Sequence, residues 1–142
     1  MARRPRSTGS IGTHDGLNLS LIDILRNQES QTVKITSTPW GLEYIYAHGD
    51  GYIGKILHIF RGNRTSLQFH RKKHETIFVA AGMLTAFIDG EEKVLQANDR
   101  IVIPPKTKHR LCAIYDDAIL LEASTDHLDD VVRLEDDYGR VD

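Results

Sequence analysis

The sequence predicts an all-β domain, an antiparallel barrel or jelly-roll sandwich, on three observations. From Leu42 onward the chain divides into short runs of alternating apolar residues. The runs are separated by turn signals such as Gly49-Asp50-Gly51, Asp89-Gly90 and Asp116-Asp117. Between them there is almost no segment with the period of a helix. Short, evenly spaced strands without intervening helices are the mark of antiparallel barrels and sandwiches.

Taken in order, residues 1–16 read as a flexible basic tail, rich in Arg, Ser, Gly and Thr. Leu21, Ile22, Ile24 and Leu25 follow at the spacing of one short N-terminal amphipathic helix, with Asn18 or Ser20 as its cap. "QTVKITSTPWG" is extended and ends at the corner Pro39-Trp40-Gly41, where Trp40 reads as an anchor. "LEYIYAH" and "YIGKILHIF" form a hairpin, and "TSLQFH", "ETIFVAAG" running into "MLTAFID", "EEKVLQ", "RIVIP", "HRLCAIY" and "AILLEAS" complete the strands. The domain therefore spans 17–142, with the barrel at about 39–125 and an acidic, partly irregular extension at 126–142.

A length of 142 residues suits a single core. The formal charge of −2 gives no reason to expect nucleic acid or membrane partners. The single cysteine, Cys112, excludes an intrachain disulfide and a cysteine-built zinc site, and a reducing cytoplasm is the expected compartment. No apolar stretch follows the arginines of the tail, so it does not read as a secretory signal. Exposed strand edges, with the extended segment before Pro39 available as a swapped strand, point to a homodimer.

The chemistry concentrates in "SLQFHRKKHETIFVAAG". Side chains alternate faces along a strand, so Gln68 and His70 share one face and Leu67 and Phe69 the other. The connection reverses the chain, and Glu75 opens the next strand. If Glu75 faces inward, its neighbour His74 faces outward. Far along the chain, His109 begins a strand after the stiff turn "IPPKTK", and its imidazole can close the group. Gln68, His70, Glu75 and His109 make a mixed nitrogen and oxygen donor set for one divalent ion; Zn, Mn, Co, Ni and Fe(II) all suit it. Each residue alone also has an ordinary reading, Glu75 as a surface ion pair with Lys72, Lys73 or Arg110 among them. Their joint spacing favours the metal.

These residues resemble the cupin superfamily. Gln68, His70, Glu75 and Gly82 follow its first motif, and Asn98-Asp99, Pro104 and His109 its second, with Asn98 and Lys106 standing where that motif has glycines. "TPWG", "SLQFH", "IPPKTKHRL" and "DDVVRLEDDYGR" further resemble the cupin domain of type II phosphomannose isomerases, which often forms the C-terminal half of an enzyme with a mannose-1-phosphate guanylyltransferase. Thr76 and Ile77 depart from the His and aromatic usual there.

The resemblance implies aldose–ketose isomerisation of a sugar phosphate. A base must move a proton between adjacent carbons, and Glu75 and His74 are the catalytic candidates, with Lys72 and Lys73 as outsiders. Arg133 and Arg140 are implied to bind the phosphate, although Arg133 also reads as an ion-pair partner of Glu135, Asp136 or Asp137. Two other functions compete with the isomerase. One is a non-catalytic metal-binding cupin that takes a sugar or nucleotide-sugar; the other, weaker, is a metal-dependent dioxygenase.

Overall fold

A computed structural model describes residues 34–142; the expected tail and N-terminal helix lie outside the described residues. Among the described residues every regular element is a strand. They are β1 (Lys34–Thr38), β2 (Gly41–Gly49), β3 (Tyr52–Ile59), β4 (Leu67–Phe69), β5 (Glu75–Ile88), β6 (Glu91–Gln96), β7 (Arg100–Ile103), β8 (His109–Cys112), β9 (Ala118–Ser124) and β10 (Val132–Glu135). All the pairings are antiparallel.

The strands form two facing layers joined through β5. Its first half pairs with β9 and β7, in the layer that continues through β3 and β2 to β1. Its second half pairs with β6 and β8, in the layer that continues through β4 to β10. The run from "ETIFVAAG" into "MLTAFID" is one long strand that changes layers at a bulge between Val79 and Ala81. Gly82 follows the bulge at φ +78°, and a Cβ there would lie 1.7 Å from the Asp117 carbonyl oxygen. Only glycine combines that backbone with so close a neighbour.

The core lies between the layers. Leu57, Ile59, Ile77, Val79, Leu120 and Ile103 come from one side and Leu84, Ala86, Leu111 and Ala113 from the other, with Trp40 packed into the same cluster as the corner anchor. Such a core is what the inward half of each alternating run supplies. The inward positions change character along their length, however. On β3 they run Lys55, Leu57, Ile59, and on β9 Ala118, Leu120, Glu122; register sets Lys55 opposite Glu122 and Leu57 opposite Leu120. One end of the interior is therefore apolar and the other charged.

Three further observations sharpen the expectations. Asn98 and Lys106 both have positive φ, 76° and 65°, so the turns that favour glycine are made here without it. The acidic extension contains a strand: β10 pairs with β4, and Arg110, buried behind β8, donates to the carbonyls of Thr65 and Glu135 to hold it. The segment before Pro39 forms β1, which pairs with β2.

Candidate metal centre

The two layers bring His70, Glu75 and His109 together at the charged end of the interior. β4 delivers His70 just past its last residue, β5 begins at Glu75, and β8 begins at His109, whose register partner on β4 is Gln68. All three side chains are buried, at 3%, 3% and 1% exposure. Glu75 Oε1 lies 3.3 Å from His70 Nε2 and 3.2 Å from His109 Nε2. One donor atom from each falls within 4.8 Å of the others.

Backbone carbonyls fix the imidazoles. His70 Nδ1 bonds the Asp130 carbonyl, and His109 Nδ1 bonds that of Thr107 at 2.9 Å. A carbonyl only accepts, so each Nδ1 carries a proton; in the neutral imidazole each Nε2 then turns a lone pair towards Glu75, and in the protonated ring it donates to that carboxylate. In the neutral form two lone pairs face one carboxylate oxygen, an arrangement that a cation among them relieves. His70 Nε2 is moreover a buried polar atom without a hydrogen-bond partner. Both features fit a divalent ion held by His70, Glu75 and His109, with second-sphere carbonyls orienting the imidazoles in the manner usual for metal-ligating histidines. Gln68 lines the same cavity, with its amide oxygen accepting from Ser66 Oγ at 2.6 Å.

The turn that carries His70 to Glu75 is built by Asp130. Its carboxylate accepts from the backbone N–H groups of Arg71, Lys72 and Lys73 at 2.9, 2.7 and 2.8 Å. Successive N–H groups of this kind form an anion-binding nest. Although desolvation acts to raise it, these bonds hold the Asp130 carboxyl at about 2. Lys106 N–H closes the turn from the other side on the His70 carbonyl at 2.6 Å.

Lys73 was only an outside candidate on sequence, yet its Nζ is buried 2.9 Å from Glu75 Oε2 and 3.5 Å from Glu122 Oε2. Burial alone would raise the Glu75 carboxyl; His109, His70 and Lys73 outweigh it and hold the group well below the ordinary carboxylate range. Burial acts to lower the Lys73 ammonium, and Glu122 and Glu75 outweigh it and raise it. Glu122, itself enclosed, is raised by burial despite Lys73. Glu75 is thus a buried ion pair, contrary to its alternative reading as a surface one. The sequence did carry signals: Lys73 shares the parity of Glu75, and Lys55 and Glu122 interrupt apolar strands.

The structure does not bring His74 to this group. It is exposed, its N–H donates to Thr125 Oγ1, and it borders a shallow hollow with Thr76 and Ser124. Alternation, which points Glu75 inward, turns its neighbour outward. Arg133 and Arg140 both line the cavity that holds His70, Glu75 and His109. Arg140 is bound through two bonds of 2.9 Å to Asp136, which holds that carboxyl at about 2. The acids weighed as partners for Arg133 are engaged elsewhere: Asp136 by Arg140, Asp137 by Arg64 and Glu135 by Arg110. Among the described residues the Arg133 guanidinium has no carboxylate partner, and its buried Nε has no hydrogen bond.

Two facing antiparallel layers with a buried His, Glu and His at one end define a cupin, and solved structures bear out the fold. An RmlC-like cupin from Shewanella frigidimarina superposes with a TM-score of 0.63 at 18% identity, over 72% of this chain and 91% of that one. A cupin-superfamily sugar phosphate isomerase from Silicibacter pomeroyi gives 0.55 at 17%, over 61% and 59%. Within that class the chain belongs to the family described as mannose-6-phosphate isomerase C-terminal, which it matches over residues 26–136. It is 37% identical over 109 residues to the mannose-1-phosphate guanylyltransferase ManC of Salmonella typhimurium, a match covering 72% of this chain and 22% of that protein. The guanylyltransferase of Escherichia coli K12 matches to the same extent. The chain thus corresponds to about a fifth of the length of these relatives.

Proposed function

We propose that this domain is a metal-dependent aldose–ketose isomerase of a sugar phosphate, of the mannose 6-phosphate type. The observation that carries the reading is the convergence of two imidazole Nε2 atoms and one carboxylate oxygen in a cavity that also holds Arg133, which has no carboxylate partner among the described residues. His70, Glu75 and His109, with Gln68 beside them, would hold one divalent ion; bound there, it supplies the Lewis acidity that makes a carbon next to a carbonyl acidic. Arg133 is the cation available to a phosphate, since Arg140 is already matched by Asp136. The cavity, about 260 Å³ and open to solvent, has room for a small metabolite. Glu75 is engaged on both oxygens, by the histidines and by Lys73, which makes it a ligand first and a weak base. Among the described residues, Lys73 and Glu122 are further proton-carrying groups beside the centre.

A second reading is a metal-holding module that binds its sugar ligand without turnover. The curated relatives favour it, because they are named for guanylyl transfer and not for isomerisation. The two are separated by measuring the metal content of purified protein and following mannose 6-phosphate to fructose 6-phosphate with and without chelator. Turnover that chelator abolishes supports the isomerase. Fully metal-loaded protein inert on every hexose and pentose phosphate would sink it.

A further inference from the structure

Four buried side-chain polar atoms lack a hydrogen-bond partner among the described residues, and three of them, Thr38 Oγ1, His70 Nε2 and Arg133 Nε, line one cavity. Buried polar atoms are seldom left unpaired, so three around one space mark positions where a ligand completes the bonding. They do not belong to one wall. His70 and Arg133 come from β4 and its partner β10, whereas Thr38 ends β1 in the opposite layer.

Register explains what surrounds Thr38. Thr36 pairs with Glu43 and Thr38 with Gly41, so Thr38 and Glu43 are diagonal neighbours on one face. Lys55 reaches the same face from β3, is buried, and sets its Nζ 3.2 Å from Glu43 Oε1. An ammonium has three protons and a carboxylate several acceptor positions, so this single ion pair leaves donors and acceptors to spare. A hydroxyl, a carboxylate and an ammonium side by side complement vicinal hydroxyl groups, each of which both donates and accepts. The carboxylate makes this end unsuited to a second phosphate.

Resting on the reading of the cavity as a sugar-phosphate site, we propose that Thr38, Glu43 and Lys55 form a hydroxyl-recognition subsite. It holds the polyol end of a monosaccharide phosphate whose anionic end lies at Arg133.

Titration calorimetry on metal-loaded protein tests this with inorganic phosphate, mannose 6-phosphate, glucose 6-phosphate and fructose 6-phosphate as probes. The tightest hexose phosphate should bind at least about tenfold better than inorganic phosphate, the scale of one hydrogen bond to a charged group. Thr38→Val, which removes only the hydroxyl, and Glu43→Gln should each erase most of that ratio, with metal content and phosphate affinity unchanged. A wild-type ratio near one, no binding of any probe, or an unaltered ratio in both variants overturns the subsite. Hexose phosphate binding that depends on both residues, without turnover, leaves the subsite standing and removes only the isomerase.

Discussion

Substituting Asp130 should loosen the candidate metal centre without touching His70, Glu75 or His109 themselves. Its carboxylate receives three backbone N–H bonds of 2.7 to 2.9 Å from the turn between His70 and Glu75. A bond to a charged acceptor contributes about 1.5–3 kcal/mol when well buried. Asp130 is only half-buried, and in Asp130→Ala water can reach the freed N–H groups. The per-bond loss is then nearer ~0.7 kcal/mol, giving about 2 kcal/mol in total. For a domain of this size that corresponds to a Tm lower by roughly 8 °C. The Asp130 carbonyl, which orients the His70 ring, loses its anchor along with the carboxylate, so metal affinity should fall about 10- to 100-fold. Asp130→Asn, which keeps one acceptor oxygen, should show an intermediate loss. Thermal unfolding of metal-free protein measures the first effect and competition with a chromophoric chelator the second. If Asp130→Ala unfolds and binds metal as the wild type does, the nest does not organise this turn.

Three other substitutions test separate parts of the structure. His109→Ala should lower the metal content of purified protein measured by atomic emission, and an unchanged content would count against the whole centre. Gly82→Ala should destabilise by more than about 3 kcal/mol in urea unfolding, because it meets both a positive φ and the Asp117 carbonyl; wild-type stability would refute the tight crossing at the bulge. Asp136, held at about 2 by Arg140 from the usual 3.8, is a carboxyl depressed in the folded state. Its contribution is complete above about pH 4 and is lost as pH falls towards 2. The Tm difference between wild type and Asp136→Asn should therefore shrink across that window, and a constant difference would show that the ion pair is not its source.

The sequence by itself determined the strand class, because alternation and turn residues are local signals that every hairpin repeats. It also determined the inward parity of Gln68, His70 and Glu75, since a strand has only two faces, and by the same rule it turned His74 outward. The destination of Arg133 was decided elsewhere. On sequence it stands among Glu135, Asp136 and Asp137 and reads as their partner, yet Arg110, Arg64 and Arg140 take those acids. Charge proximity along a chain says little once a strand sends neighbouring side chains to opposite faces. The junction of β1, β2 and β3 with the His–Glu–His group was equally out of reach. Thr38, Glu43 and Lys55 join Lys73 and Glu122 around one cavity only because antiparallel pairing sets the charged ends of distant strands side by side. Parity along a strand is local, whereas which strands lie opposite one another is a property of the closed sheet. The sequence therefore placed the candidate ligands, and the tertiary structure assembled the cavity around them.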